Sequence, residues 1–148
     1  MSAGSEVGFR LRLADGFLAE ARQDLELERW RSCVDHSQLA TENAAKAGLA
    51  LIGPVGRTHT PSILLRRLMA DGHFVGSLRP RAERLAECAE LLGPDLHASS
   101  DYGDEHSGRT PWELFGEEDA QNAVSIAGDA VATAYALVRE AGVRPDLS

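Results

Sequence analysis

RWRSCVDHSQLATENAAKAGLALIG, residues 29–53, is the stretch whose reading decides the fold. Helix formers dominate it, and its only glycine before the end is Gly48. Ser37, Ala40, Ala44, Ala47 and Leu51 recur at three- and four-residue spacing and so share one face. That face is made of small side chains, which let a neighbouring helix approach closely. The helix is therefore expected at the centre of a bundle. Glu42 and Lys46 stand four apart with the acid first, the favourable order for an ion pair on an exposed face. On a solvated face such a pair contributes only about 0.3–0.5 kcal/mol.

Working outward toward the amino terminus, residues 6–27 read as a first helix. Phe9, Leu13, Phe17 and Ala21 are spaced by four, with Leu18 and Leu25 beside them, while Asp15, Glu20, Asp24 and Glu26 read as its wet side. A tight acidic turn at Glu28 joins the two helices. Toward the carboxyl terminus, Gly53-Pro54 ends the central helix, because proline cannot continue one. Thr60 is placed to cap a short third helix with Pro61 at its first position, and Ile63, Leu64 and Leu68 are expected to face inward. Asp71-Gly72 stops it.

A fourth helix is expected over 79–92, with Leu85, Cys88, Ala89 and Leu92 as its apolar stripe and Gly93-Pro94 at its end. Residues 93–109, GPDLHASSDYGDEHSGR, read as a long irregular loop. Thr110-Pro111-Trp112-Glu113 has capping-box spacing, and a short turn there would tuck Trp112 and Phe115 onto the core. The last helix spans 117–141, with Ala120, Ala123, Ala127, Ala130, Ala134, Leu137 and Ala141 as the seam of a closely packed bundle. No stretch alternates with period two. The fold class is all-α: an antiparallel up-and-down bundle of four main helices plus a short helix. We read it as a single domain over 1–148 with its core at about 6–142.

A chain of 148 residues can bury roughly 68–70% of its unfolded surface and needs no staples. Its formal net charge of −8 repels a phosphate backbone and argues against non-specific nucleic-acid binding. The basic residues are almost all Arg, which reads as coding bias, not function. Cys33 and Cys88 fit no zinc spacing and read as buried thiols of a reducing compartment. No apolar run is long enough to span a bilayer, and no signal peptide is evident; a cytoplasmic location is expected.

The run Gln38-Leu39-Ala40-Thr41-Glu42-Asn43-Ala44-Ala45-Lys46-Ala47, followed by His59-Thr60-Pro61-Ser62-Ile63-Leu64-Leu65, resembles the HEPN domain (higher eukaryotes and prokaryotes nucleotide-binding). The likeness is best over residues 9–70. It implies a helical bundle that acts by binding a nucleotide or a partner protein and commonly forms a homodimer. It also implies a partner: a small nucleotidyltransferase-type protein, with which such proteins form toxin–antitoxin pairs. No cofactor is implied.

The catalytic branch of that family is a metal-independent ribonuclease, with an Arg followed four to six residues later by a His near the start of the last long helix. The His would be general acid or base and the Arg would hold the phosphate. Here that position has Arg109 but no His after it. Arg31 and His36 match the spacing but lie inside one helix, where their side chains diverge. Arg67 and His73, with Arg66 beside them, are the catalytic candidates under this alternative, and RNA is a partner only under it. That reading needs Arg66, Arg67, His73 and the nearby Arg79 and Arg81 to form one positive cleft. Arg66, Tyr102 and Asp104 are candidate ligand-binding residues; Asp101-Tyr102-Gly103-Asp104 falls where relatives carry an Arg-Tyr-Pro-Asp-like stretch. Asp101 in place of that Arg removes a phosphate donor. Asp101, Asp104, Glu105 and His106 have oxygen-rich character suited to Mg²⁺ or Ca²⁺, but their spacing fits no known loop, and no metal is expected. His59 reads as a loop His bonded locally. A third alternative is a structural helical domain whose ligand the sequence does not name.

Overall fold

The structure, a computed structural model, describes residues 2–148. It consists of α1 (Ala3–Glu26), α2 (Trp30–Ala50), α3 (Pro61–Ala70), α4 (Leu78–Leu91), α5 (Pro94–Tyr102), α6 (Pro111–Leu114) and α7 (Glu117–Glu140). Among the described residues there is no strand, only an isolated bridge between Asp104 and Arg109. The all-α reading holds, and α1, α2, α4 and α7 form the main bundle.

α2 lies at the centre and packs on each of the other six helices. Every residue from 40 to 50 is buried. The small face does what its composition implies. Ala40, Ala44 and Ala47 are fully buried, and a Cβ on Gly48 would stand 2.9 Å from Leu85 Cδ2. On α7 the seam of Ala120, Ala123, Ala127, Ala130 and Ala134 is buried within this one chain. Leu11, Leu65, Leu85 and Leu137 are the largest fully buried side chains, each worth about 1.5–3 kcal/mol of transfer free energy.

Several expectations are corrected. α1 buries Val7, Leu11, Ala14, Leu18 and Ala21, not the phenylalanine row; Phe9 is exposed and Phe17 lies at the edge. Smaller side chains on that stripe let α1 dock closely on α2. Asp24 is buried, not wet, because it faces His36. α3 buries Leu65 and Met69, while Ile63 is exposed and Leu64 and Leu68 are half-buried. The capping box of α6 forms, with Thr110 N–H donating to Glu113 Oε1 at 3.2 Å, and Phe115 packs against the core. Trp112, however, is 75% exposed and carries the Arg31 guanidinium 5.8 Å from its ring centroid.

Residues 93–109 are not a structureless loop, since their first half is α5. Pro94 starts it and Gly103, at φ 77°, ends it. Its residues have little helix propensity, so it is held by α2 through His97, Ser100 and Asp35. The tail past α7 is also anchored. Asp146 N–H donates to Gly4 O at 3.0 Å, and a Cβ on Gly8 would fall 1.8 Å from Asp146 O, so the close approach requires glycine.

Candidate functional site

The Glu42–Lys46 pair is not on a solvated face. Glu42 is 7% and Lys46 8% exposed, with Nζ 3.3 Å from Oε2. Pairing makes this burial tolerable, since an unpaired charge there would be costly. The other Glu42 oxygen, Oε1, lies 3.5 Å from His59 Nδ1, so the loop His is tied to α2 and not to its own neighbours.

The path of the chain brings these groups together. Gly53-Pro54 breaks α2 and turns the backbone over α1. Val55 N–H then donates to Glu6 Oε1 at 3.0 Å, pinning the loop to the first helix. Arg57, Thr58 and His59 thereby come to face Arg10 of α1 and Lys46 of α2. Together with Val55 and Gly56 they line a cleft of about 380 Å³. No carboxylate belongs to this lining; Glu42 lies against Lys46 and His59, and Glu6 against the loop backbone. Arg10 stacks on Phe9 at 5.5 Å, and its Nε is buried without a hydrogen-bond partner. Neither Arg10 nor Arg57 is in an ion pair among the described residues. Lys46 offers a compact charge and each Arg a planar fork, the donors that phosphate oxygens take.

The residues singled out in the sequence are dispersed. Arg66 is neutralised by Glu90 at 2.6 Å, Arg79 by Glu83 at 3.1 Å and Arg81 by Glu140 at 2.8 Å. The positive cleft that the ribonuclease reading requires is therefore not assembled from them. Arg67 lies at the edge of a separate apolar cleft, and His73 is exposed beyond Gly72, its N–H donating to Leu68 O at 2.9 Å. Tyr102 is 80% exposed at the end of α5. Asp104 closes its own turn, accepting from Ser107 Oγ at 2.8 Å and His106 N–H at 3.0 Å, bonds that hold its carboxyl below the usual range. α5 does not pack on α3, so these two residues are not brought to Arg66 and Arg67.

Arg31 and His36 diverge as expected. His36 lies 2.6 Å from Asp24 Oδ2 and 3.1 Å from Glu20 Oε2, whereas Arg31 donates to Ser100 O at 3.0 Å and to Asp101 Oδ1 at 3.3 Å. The sequence reading missed a second cluster here. His97 Nδ1 is 2.6 Å from Asp35 Oδ1 and its Nε2 is 3.5 Å from Asp101 Oδ2, with Ser100 Oγ donating to Asp35 at 3.2 Å. Two carboxylates face one Arg and one His, so the cluster is satisfied internally and serves to dock α5 on α2.

The cleft could have been found from one signal. Lys46 is the chain's single lysine among 15 basic residues, and it stands in the run from Gln38 to Ala47. Arg10 and Arg57 carry no such mark.

A search of the curated proteins finds no match. The family model described as the HEPN domain matches residues 7–135, nearly the whole chain. With the bundle centred on α2 and Glu42 and Lys46 paired within it, the chain belongs to the HEPN domain family.

Proposed function

We propose that this protein acts by binding, and that it holds the phosphate groups of a nucleotide in the cleft lined by Arg10, Lys46, Arg57 and His59. The observation that carries this reading is the convergence of Arg10 and Arg57, neither of them in an ion pair, on the cleft where Lys46 and His59 meet Glu42, in a chain with net charge −8. Positive potential concentrated against a negative whole selects small anions and disfavours a long polyanion. Arg10 Nε, without a partner in the protein, is a donor that a phosphate oxygen would satisfy.

From the family resemblance, the protein works in the cytoplasm as a homodimer beside a small nucleotidyltransferase-type protein, as half of a toxin–antitoxin pair. The ribonuclease reading is less well supported, because Arg66, Arg79 and Arg81 are each spent on a carboxylate.

Calorimetric titration with inorganic tripolyphosphate at low salt tests the binding. Wild type should bind, and Arg10→Gln and Arg57→Gln should each weaken binding by about 10–100-fold, the weight of one charge-assisted hydrogen bond. A wild-type protein that takes up no tripolyphosphate would overturn the proposal.

A further inference from the structure

His97 and Asp101 stand four apart on α5 and so share one face of it, opposite Asp35 of α2. One ligand atom from each of the three residues lies within 4.8 Å of the other two. The contact of His97 Nδ1 with Asp35 Oδ1, 2.6 Å long, fixes the ring, and Ser100 Oγ donates to Asp35 in turn at 3.2 Å. With its proton on Nδ1, a neutral imidazole aims the Nε2 lone pair at Asp101 Oδ2, 3.5 Å away. Two acceptors then face each other, and a cation between them satisfies both. The charge balance that docks α5 on α2 counts His97 as an imidazolium. With a neutral ring, the usual form of an imidazole above pH 7, Asp35 and Asp101 outnumber Arg31. His36 provides the contrast. It meets Asp24 at 2.6 Å and Glu20 at 3.1 Å, both hydrogen-bond lengths that a proton fills. The 3.5 Å at His97 Nε2 is long for a hydrogen bond and matches one edge of a coordination shell. Zinc bonds of about 2.0–2.2 Å to nitrogen and oxygen, arranged as a tetrahedron, set their ligand atoms about 3.4 Å apart.

We propose that His97 Nε2 and Asp101 Oδ2 bind a divalent transition-metal ion, zinc by its chemistry, with Asp35 as the positioning residue that keeps the imidazole proton on Nδ1. An imidazole nitrogen beside a carboxylate oxygen suits zinc, whereas magnesium and calcium take shells of oxygen. A carboxylate behind a zinc-bound histidine is its ordinary support. Arg31 does not block the site, because it donates to Asp101 Oδ1 and leaves Oδ2 to face His97. The His97 and Asp101 side chains are 40% and 30% exposed, so the ion and the waters that complete its shell arrive from solvent. The sequence groups Asp101 with Asp104, Glu105 and His106, but Asp104 is turned to Ser107 and His106 N–H, and the fold gives Asp101 to His97 instead. Bound there, the ion staples one turn of a helix with little propensity of its own and, through Asp35, ties that turn to α2.

The test uses untagged full-length protein, stripped with EDTA and exchanged into chelator-free buffer, then titrated with Zn²⁺ by calorimetry and followed by imidazole ¹⁵N NMR. Wild type should take up one Zn²⁺, with Mg²⁺ unable to compete, and Tm should rise by about 5–10 °C at a hundredfold excess over Kd. In the NMR spectrum His97 Nε2 should move to the position of a metal-bound nitrogen while its Nδ1 keeps the proton. That readout needs no variant, so it decides the proposal even if a substitution releases α5. Asp101→Asn should abolish uptake with helix content unchanged by circular dichroism. Asp35→Asn should weaken Zn²⁺ binding by about 10–100-fold, the effect of losing the carboxylate behind a ligating histidine. His106→Gln should bind as wild type does. No uptake of Zn²⁺ would overturn the proposal and assign the His97–Asp101 contact to an imidazolium proton. Uptake that leaves His97 Nε2 unmoved, or that is lost in His106→Gln, would overturn it as well.

Discussion

Lys46 is the one position where a chain that otherwise uses only arginine for its permanent cations keeps a lysine. A guanidinium is broader than an ammonium, and the slot beside Glu42 is almost closed to solvent. Lys46→Met leaves Glu42 buried without its cationic partner, so we expect it to cost about 3 kcal/mol in urea unfolding, the usual scale for breaking a buried pair. The double variant Glu42→Gln, Lys46→Met removes both charges and should recover most of that loss. A single variant as stable as wild type would mean that water screens the pair.

The two thiols bear on stability at high pH. Burial pushes Cys33 and Cys88 from 9.0 up to about 11 each, and burial with the Asp15 carboxylate pushes Tyr135 up to about 12. The folded state therefore keeps protons that the unfolded chain gives up. Stability is accordingly intact below pH 9.0 and falls as pH rises toward 11 and beyond. Unfolding midpoints measured from pH 8 to 10.5 should decline over the upper part of that range, and Cys33→Ala with Cys88→Ala should flatten the decline.

At the scale of elements, what the sequence made legible was punctuation. Gly53-Pro54, Gly93-Pro94, Thr110-Pro111 and Gly142 are local signals, and the helices end or begin at them within a few residues. Which face turns inward was less legible. Along α1 the row Phe9, Leu13, Phe17 is as periodic as Val7, Leu11, Ala14, Leu18, and only the small face of α2 selects the second. α5 was hidden because its helicity comes from outside it, in Asp35 holding His97 and Ser100. The site was half legible for the same reason. Glu42, Lys46 and His59 stand in the two runs that carry the family likeness, whereas Arg10 and Arg57 join them through a fold that pins Val55 to Glu6.

The carboxyl-terminal tail is held by a contact that one methyl group should break. Gly8→Ala improves intrinsic helix propensity by about 1 kcal/mol yet drives a Cβ into the backbone of Asp146. Helix content by circular dichroism should be unchanged, while residues 143–148 should become removable by carboxypeptidase faster than in wild type. Equal digestion rates would show that the tail can shift without detaching.

For the whole molecule, the distribution of charge decides between binding and cleavage. Of the cations around α3 and α4, Arg66, Arg79, Arg81 and Arg84 are all committed to carboxylates. Against a net charge of −8 this leaves no extended basic track for an RNA strand. The last long helix has Arg109 near its start, but that side chain donates to Glu113 O at 2.6 Å and no His follows it. We therefore expect no cleavage of single-stranded RNA by the isolated protein in the presence of EDTA, read on a gel. Robust wild-type cleavage would refute the binding reading. In that event His73→Ala should lower the rate by roughly 10²–10⁴, the weight of a general acid or base. Arg67→Ala should also cost substantially, and His36→Ala almost nothing. Cleavage that survives His73→Ala and fails in His97→Ala would place the chemistry between α2 and α5. There Arg31 and His97 share the Asp101 carboxylate, and Asp35 already holds the imidazole by its Nδ1.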